Sequence, residues 1–284
     1  MLRGYEGCVR LLIMRVTTKQ TPRARFAPRP FAPHRVEQTL DVELRLLVEG
    51  IYGPPASQLN GLDIGRAYWG ANEEFRYGGD LVDVFHYGAG LTSLAVVDIS
   101  GHGILAARHA GLVKHALRAY ASCSFSAIDS IRALNRLCIE NCAYEVEIEF
   151  FATAFFAIVD SRRETMEYVS AGHEAAFIVK ADGHRLLQAT GPILGLLDDD
   201  SSFHQETVEL ENDDVLVAVT DGFAEARNDR LAFLGTDAIV DAVKRSCDQS
   251  AEMQARAVTA LALEYAGSRL QDDIAALVVK VTRP

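Results

Sequence analysis

The sequence has no apolar run close to the roughly 20 residues that a membrane-spanning helix needs. Its N-terminal apolar stretch, residues 11–14, is shorter than a signal-peptide core, which needs at least about seven apolar residues. It also has no G-x-x-x-x-G-K-[ST] loop, and no G-x-G-x-x-G motif opens a helix after a strand, so the usual signals of nucleotide-driven chemistry are missing. These absences argue against a membrane protein and against a nucleotide-driven enzyme.

Cysteine is scarce and scattered. The five cysteines form no C-x-x-C pair, and their number is odd. This usage favours a reducing compartment, and together with the missing leader it predicts a cytoplasmic protein. Cys138 and Cys142 are four residues apart on a predicted helix, and no second Cys/His pair accompanies them. We therefore interpret them as part of a packed helix face and not as a zinc site.

Acidic residues outnumber basic ones, giving a net charge of −11, but the charge is uneven. Residues 1–36 contain eight Lys or Arg and one acid, together with four prolines, so we expect a basic, proline-rich, disordered arm. The other 248 residues carry 20 basic and 38 acidic side chains, a balance of −18. An acidic body argues against nucleic acid as the partner. Residues 37–59 are predicted to form a short linker helix and a turn, ahead of one domain over residues 60–284.

Hydrophobic periodicity predicts an α+β protein. Short apolar or alternating segments bounded by turn residues predict strands over 62–69, 81–87, 91–99, 153–159, 166–170, 175–179, 184–188, 203–210, 215–220 and 274–281. Three- and four-residue spacing predicts two helices within 104–142 and two more over 236–246 and 251–265. Strands in the middle and helices in two pairs fit a sandwich of two central sheets with a helix pair on each outer face.

Aspartates flank several of the predicted strands. Asp80 precedes one strand, Asp98 and Asp221 come at the ends of two others, and Asp272 with Asp273 precedes the last. Carboxylates gathered at one end of a sandwich repel each other, and each resists ionising beside the others. Hard divalent cations such as Mg²⁺ and Mn²⁺ remove this conflict, since they prefer oxygen ligands. An Asp beside Gly is also a common turn residue, so the pattern by itself leaves both interpretations open.

Five short motifs occur in order with compatible spacing: Gly78-Gly79-Asp80-Leu81-Val82-Asp83, Asp98-Ile99-Ser100-Gly101-His102-Gly103, Ala171-Gly172-His173, Thr220-Asp221-Gly222, and Asp272-Asp273-Ile274-Ala275. Together they resemble the motifs of the PPM, or protein phosphatase 2C-like, metal-dependent serine/threonine phosphatases. The bacterial branch related to stage II sporulation protein E and the sigma-B regulatory phosphatases is the most similar. The resemblance covers residues 60 to 282 and implies a four-layer αββα sandwich that binds two Mn²⁺ or Mg²⁺ ions.

The resemblance also implies roles for individual residues. Asp98 would bridge both metals, and the backbone carbonyl of Ile99 would hold one of them. Asp221 and Asp272 would complete that metal site. Asp80, which matches the first acid of the family, would lie at or next to the cluster. Asp80 and Asp98 are accordingly counted as both catalytic and metal-binding.

Three other residues receive different expectations. His102 lies near the leaving-group side by resemblance and is a candidate proton donor, although a histidine that stabilises the loop explains the position equally well. His173 is expected to organise a turn without a catalytic role. Asp273 is expected to support the metal ligands and not to bind metal directly.

The expected function is hydrolysis of phosphoserine or phosphothreonine on a regulatory protein, by water activated between two metals. In this branch the typical substrate is a phosphorylated anti-sigma factor antagonist. Residues 37–50 and 104–142 are candidate contacts for a regulator or a second copy. A phosphatase-like module that only binds partners, and a metallohydrolase of small phosphoesters, are the alternatives. A serine hydrolase built on Ser100 is excluded locally, because a nucleophile elbow requires Gly at position 98, which is Asp.

Overall fold

The computed structural model describes residues 58–70, 78–86, 88, 90–101, 103–144, 150–174, 176–228, 231–267 and 272–282. The predicted basic arm, and the linker helix within residues 37–57, lie outside the described residues. The strands are β1 (Gln58–Leu59), β2 (Leu62–Trp69), β3 (Leu81–His86), β4 (Leu91–Ile99), β5 (Ala152–Asp160), β6 (Thr165–Ala171), β7 (Ala176–Lys180), β8 (Gly183–Leu187), β9 (Glu206–Glu209), β10 (Val215–Val219) and β11 (Ile274–Val281). The helices are α1 (Gly103–Ser124), α2 (Ala127–Tyr144), α3 (Gly222–Glu225), α4 (Thr236–Arg245) and α5 (Ala251–Ala266).

All of these strands pair antiparallel in two sheets. The first sheet has the order β1-β2-β11-β10-β7-β8, and the second has the order β3-β4-β5-β6-β9. The central strands are covered on both faces, so their burial is continuous and does not alternate; in β4, for example, residues 92–97 are all buried. Within the part of the chain that is described, no helix is both long and apolar enough to cross a bilayer.

Three apolar layers hold the sandwich together. Between the sheets, Leu94 and Phe155 of the second sheet belong to the same cluster as Leu277 of the first. A second cluster joins the outer face of the second sheet to α1 and α2, and a third joins the outer face of the first sheet to α4 and α5. Cys138 is fully buried in the second of these clusters, as expected of a packed helix face. The four-layer αββα sandwich predicted from the sequence is therefore confirmed.

Two local expectations differ from the structure. The strand predicted from residue 203 begins only at Glu206, because the Asp199 side chain accepts a hydrogen bond from the Ser201 amide and starts a 3-10 turn over Asp200–Ser202. Phe203 is buried as an anchor after that turn. Residues 58 and 59, the last two of the predicted linker, form β1, which pairs with the start of β2.

Candidate active site

The antiparallel order brings the aspartate-bearing strand ends together. In the second sheet, β3 begins beside the end of β4, since Leu81 pairs with Val97. In the first sheet, β10 ends beside the beginning of β11, since Val219 pairs with Ala276. Asp80 therefore lies next to the Asp98 end of its sheet, and Asp221 next to the Asp272-Asp273 turn of the other.

Glycines let the backbones at this end approach closely. A side chain at Gly79 would overlap the carbonyl oxygen of Ile99, and one at Gly78 would overlap the carboxylate of Asp273. A side chain at Gly222 would overlap the carbonyl oxygen of Asp273. Glycine is required at these contacts because no Cβ can be accommodated. The glycine-containing motifs of the two sheets thus meet around one point.

Asp80 lies at the centre of this point. Its side chain is 3% exposed, and its Oδ2 accepts a hydrogen bond of 2.6 Å from the hydroxyl of Thr220. Burial raises the pKa of Asp80 well above its ordinary value, and the negative charge of Asp98 raises it further. Asp273 and Asp221 add to this effect, while the Thr220 hydrogen bond opposes it. Four carboxylates from both sheets therefore interact electrostatically at one end of the sandwich.

This donor set fits a hard divalent cation. The carboxylates and the Ile99 carbonyl supply only oxygen atoms, which Mg²⁺ and Mn²⁺ prefer. Asp80 is a buried acid whose neighbours disfavour its charged form, and a cation is the group that would reverse this. Within the described ranges, no three His, Cys, Asp or Glu side chains are already arranged as a coordination sphere. Within these ranges the carboxylates therefore approach one another without forming a finished coordination sphere.

The structure brings together most of the residues predicted for the site. Asp80, Asp98 and Asp221 converge, and the Ile99 carbonyl points at Gly79. Asp272 is exposed, and its Oδ1 accepts a hydrogen bond of 2.8 Å from the Asp273 amide. Its neighbour Asp273 is the acid whose charge acts on Asp80. The role of Asp272 as a metal ligand stays a prediction, and His102 lies outside the described residues.

Thr220 is a positioning residue that the sequence reasoning did not single out. Its hydroxyl donates to Asp80 and accepts a hydrogen bond of 2.9 Å from the Ala275 amide. Thr220 is fully buried, so this single side chain joins the first sheet to the carboxylate that precedes the second sheet. Two sequence signals point to it: its place in the Thr220-Asp221-Gly222 motif and its position directly after β10.

His173 contacts Thr153, the residue that pairs with Asp98. Thr153 pairs directly with Asp98 across β4 and β5, and the hydroxyl of Thr153 shares a 2.8 Å hydrogen bond with Nδ1 of His173. Burial lowers the pKa of His173 to about 4, although the nearby carbonyl of Val219 favours the charged form. At neutral pH the ring is therefore uncharged, which suits a structural support better than proton transfer.

Asp83, the second acid of the Gly78–Asp83 motif, faces away from the site. It shares a face of β3 with Leu81 and points toward α1. Both of its oxygens accept hydrogen bonds of 2.7 Å from Arg118, and Lys114 approaches to 3.8 Å. This buried carboxylate fastens α1 to the second sheet.

Solved PP2C-type phosphatases share this fold of two stacked antiparallel sheets flanked by helices, so the fold places the chain in their structural class. The SiaA-PP2C domain of Pseudomonas aeruginosa matches with a TM-score of 0.71 and 19% identity, covering 87% of this chain and 98% of that one. The PP2C domain of SpoIIE from Bacillus subtilis, solved with a fragment of its regulatory domain, gives 0.67 and 17%, covering 78% and 63%. The catalytic domain of the phosphatase PstP, in complex with 2 manganese ions, gives 0.60 and 14%, covering 78% and 99%. At these identities the likeness shows the fold.

The family model described as Stage II sporulation protein E (SpoIIE) matches residues 88–282, and the chain belongs to this family. Protein IcfG of Synechocystis sp. is 26% identical over 226 residues, which are 71% of this chain and 35% of that protein. Phosphoserine phosphatase RsbU of Bacillus subtilis is 26% identical over 190 residues, 66% of this chain and 55% of that protein. The matches thus span 35% and 55% of these relatives' lengths. The resemblance inferred from the five motifs is confirmed.

Proposed function

We propose that the chain is a metal-dependent protein phosphatase that hydrolyses phosphoserine or phosphothreonine. The observation that carries this proposal is Asp80, whose pKa is raised by burial and, in addition, by carboxylates contributed from both sheets. Such a cluster is unfavourable without a cation, and it lies at the end of the sandwich where five family motifs meet. Membership of the SpoIIE family and the similarity to the phosphoserine phosphatase RsbU support the same chemistry.

Two Mn²⁺ or Mg²⁺ ions are the proposed cofactors, held by Asp80, Asp98, Asp221, Asp272 and the Ile99 carbonyl. When bound, such ions lower the pKa of water and neutralise the charge that develops on a phosphoryl group. Asp98 is proposed to bridge the two ions. The solved PstP domain contains 2 manganese ions, which supports this number of metals.

The chain's own residues have proposed roles in binding and proton transfer. Thr220 orients Asp80 through its 2.6 Å hydrogen bond, so the carboxylate is fixed before the substrate arrives. His102 is proposed to donate a proton to the leaving serine oxygen. His173 and Thr153 support the strand that presents Asp98.

The proposed substrate is a regulatory phosphoprotein, specifically a phosphorylated anti-sigma factor antagonist. The similarity to RsbU, a phosphoserine phosphatase, supports a phosphoserine protein. We further propose a cytoplasmic location, given the few, scattered cysteines, and no nucleic-acid partner, given the acidic body of the chain. Regulators or a second copy are proposed to act through residues 37–50 or 104–142. The second range contains α1 and α2, and α1 begins a few residues after Asp98. A shift of α1 would therefore move the proposed ligand Asp98.

The test is phosphate release from a phosphoserine peptide and from an aryl phosphate, with Mn²⁺ and after chelation. Asp98→Asn and Asp221→Asn should each lower the rate at least about 100-fold while leaving the fold intact. The matched control is Asp182→Asn, the same change in the exposed turn between β7 and β8. This control should retain the wild-type rate.

Three outcomes would contradict the proposal in different ways. Equal turnover by the wild type and both site variants removes the metal mechanism. Metal uptake without turnover of either substrate indicates a module that only binds partners. If the protein hydrolyses the aryl phosphate but neither the phosphoserine peptide nor any phosphoprotein, it is a hydrolase of small phosphoesters.

A further inference from the structure

One loop beside the candidate active site exposes large apolar side chains. In residues 191–200, hereafter the apolar loop, Ile193 is 38% exposed, Leu196 is 55% exposed and Leu197 is 46% exposed. Three such side chains close together in sequence are unfavourable in water, and grouped apolar exposure is typical of an interaction site.

The apolar loop is nevertheless held firmly. The buried Asn135 of α2 accepts a 2.9 Å hydrogen bond from the Gly195 amide and donates one of 2.8 Å to the Leu197 carbonyl. At the end of the loop, Arg132 donates to the Asp200 carbonyl at 2.9 Å. A loop fixed by buried hydrogen bonds presents its apolar side chains in one arrangement, which lowers the entropy lost when a partner binds.

The apolar loop lies close to the proposed metal ligands. Leu194 exchanges two backbone hydrogen bonds, of 3.2 and 2.9 Å, with Ala152. Ala152 in turn pairs with Ile99, whose carbonyl is a proposed ligand. Two strand spacings therefore separate Leu194 from Ile99, a distance of roughly 10 Å. A phosphoprotein whose phosphoserine enters the site must bring its neighbouring surface within reach of this loop.

The charge of the loop narrows the chemistry of the partner. Asp198 and Asp199 follow the apolar side chains and are exposed. The chain outside its first 36 residues carries an excess of acids, so a partner with basic side chains beside its apolar contact would be complementary.

We propose that the apolar loop is the docking surface for the protein substrate. It binds an apolar patch, flanked by Lys or Arg, that lies about 10 Å from the phosphoserine. The inference rests on the proposed function and specifies how that site selects a protein over a small phosphoester. Because exposed side chains carry the contact, their replacement should change substrate preference and leave the chemistry intact.

The experiment uses the full chain with Mn²⁺ and synthetic phosphoserine peptides. Two leucines followed by two lysines begin three residues from the phosphoserine, since about three extended residues span 10 Å. One peptide carries this block on the N-terminal side and another on the C-terminal side. Matched peptides replace both leucines with serine, and an aryl phosphate reports the chemistry alone.

We expect kcat/KM for one leucine peptide to exceed that for its serine counterpart about tenfold, through a lower KM. The double variant Leu196→Ser/Leu197→Ser should remove this preference and keep aryl phosphate turnover unchanged. The control variant is Met253→Ser, which changes a 48% exposed side chain in the first turn of α5. That turn adjoins Asp63, at the end of β2 opposite to the carboxylates, so this variant should keep the preference.

Two results would overturn the docking proposal while leaving the phosphatase activity established. In the first, wild type turns over leucine and serine peptides equally. In the second, the double variant retains the preference. If sedimentation velocity shows a wild-type dimer that the double variant loses, with the same peptide preference in both, the loop binds a second copy and the proposal is wrong. Absence of aryl phosphate turnover in the wild type would instead contradict the proposed function itself.

Discussion

Gly79 is the position where a single added methyl group tests the candidate site most directly. The residue is buried immediately before Asp80, and its φ is not in the left-handed region, so alanine is acceptable to the backbone. Space is the obstacle, because a Cβ would lie 3.1 Å from the carbonyl carbon of Ile99 and closer still to its oxygen. Gly79→Ala must therefore push the Ile99 carbonyl or the Asp80 segment aside.

The expected effects follow from that displacement. Relief of the overlap requires a movement of about 1 Å, and a displacement of this size at a reacting centre can lower the rate about 100-fold. Overpacking of this kind typically lowers the free energy of unfolding by about 1–3 kcal/mol, which leaves a folded protein to assay. We therefore expect a large loss of kcat/KM and a higher Mn²⁺ concentration for half-maximal activity, with a smaller loss of stability.

The assay is aryl phosphate hydrolysis over a Mn²⁺ titration, paired with urea unfolding of the same preparations. Gly183→Ala is the matched control, since a Cβ at Gly183 meets nothing within 4 Å and its φ is also outside the left-handed region. This control should behave as wild type in both measurements. A folded Gly79→Ala protein with the wild-type rate and the wild-type Mn²⁺ dependence would refute the placement of the Ile99 carbonyl in the site.

Three further predictions concern the residues around this point. Thr220→Val removes the donor to Asp80, so we expect urea unfolding to show a loss of about 1–3 kcal/mol that Thr220→Ser largely restores; equal stability of the two variants would contradict this. Asp98→Asn removes the proposed bridge, so equilibrium dialysis should find less Mn²⁺ per chain than in wild type, and an unchanged content would exclude bridging. The folded-state pKa of His173 is lowered to about 4, so the stability it contributes is present above its unfolded pKa near 6.5 and is lost as pH falls toward 4. Wild type should lose about 3 kcal/mol over this range from this residue, a loss that His173→Gln lacks and the exposed control His184→Gln retains.

Much of the sandwich could be predicted from sequence, because period and burial agree along its strands. The predicted bounds of β2, β4 and β11 match the structure, since each is an apolar or alternating segment ended by turn residues. The start of β9 was wrong, because the competing side-chain hydrogen bond of Asp199 is local chemistry that hydrophobic periodicity does not detect. The two-residue strand β1 is too short for any periodic signal.

The candidate site was predictable as far as strand ends determine it. Asp80 and Asp98 could be expected together because they flank neighbouring strands. The sequence could not show whether Asp272 or Asp273 faces inward, because the direction of adjacent residues in a turn depends on their tertiary contacts. For Asp273 these contacts involve Gly78, far away in sequence. Asp83 likewise has partners on α1, and no pattern within the Gly78–Asp83 motif indicates that it turns away from the site.

The hydrogen bond from Thr220 to Asp80 crosses from one sheet to the other, and this has a consequence for how the protein fails. Each of the two sheets contributes some of the carboxylates, so the alignment of these groups depends on the relative position of the two sheets. A slip of a fraction of an ångström would leave the three apolar layers closed and the helices intact. It would also separate the groups that must act together. Turnover should therefore disappear under milder denaturing conditions than those that melt the protein, and any effector that shears one half against the other would act as an off switch.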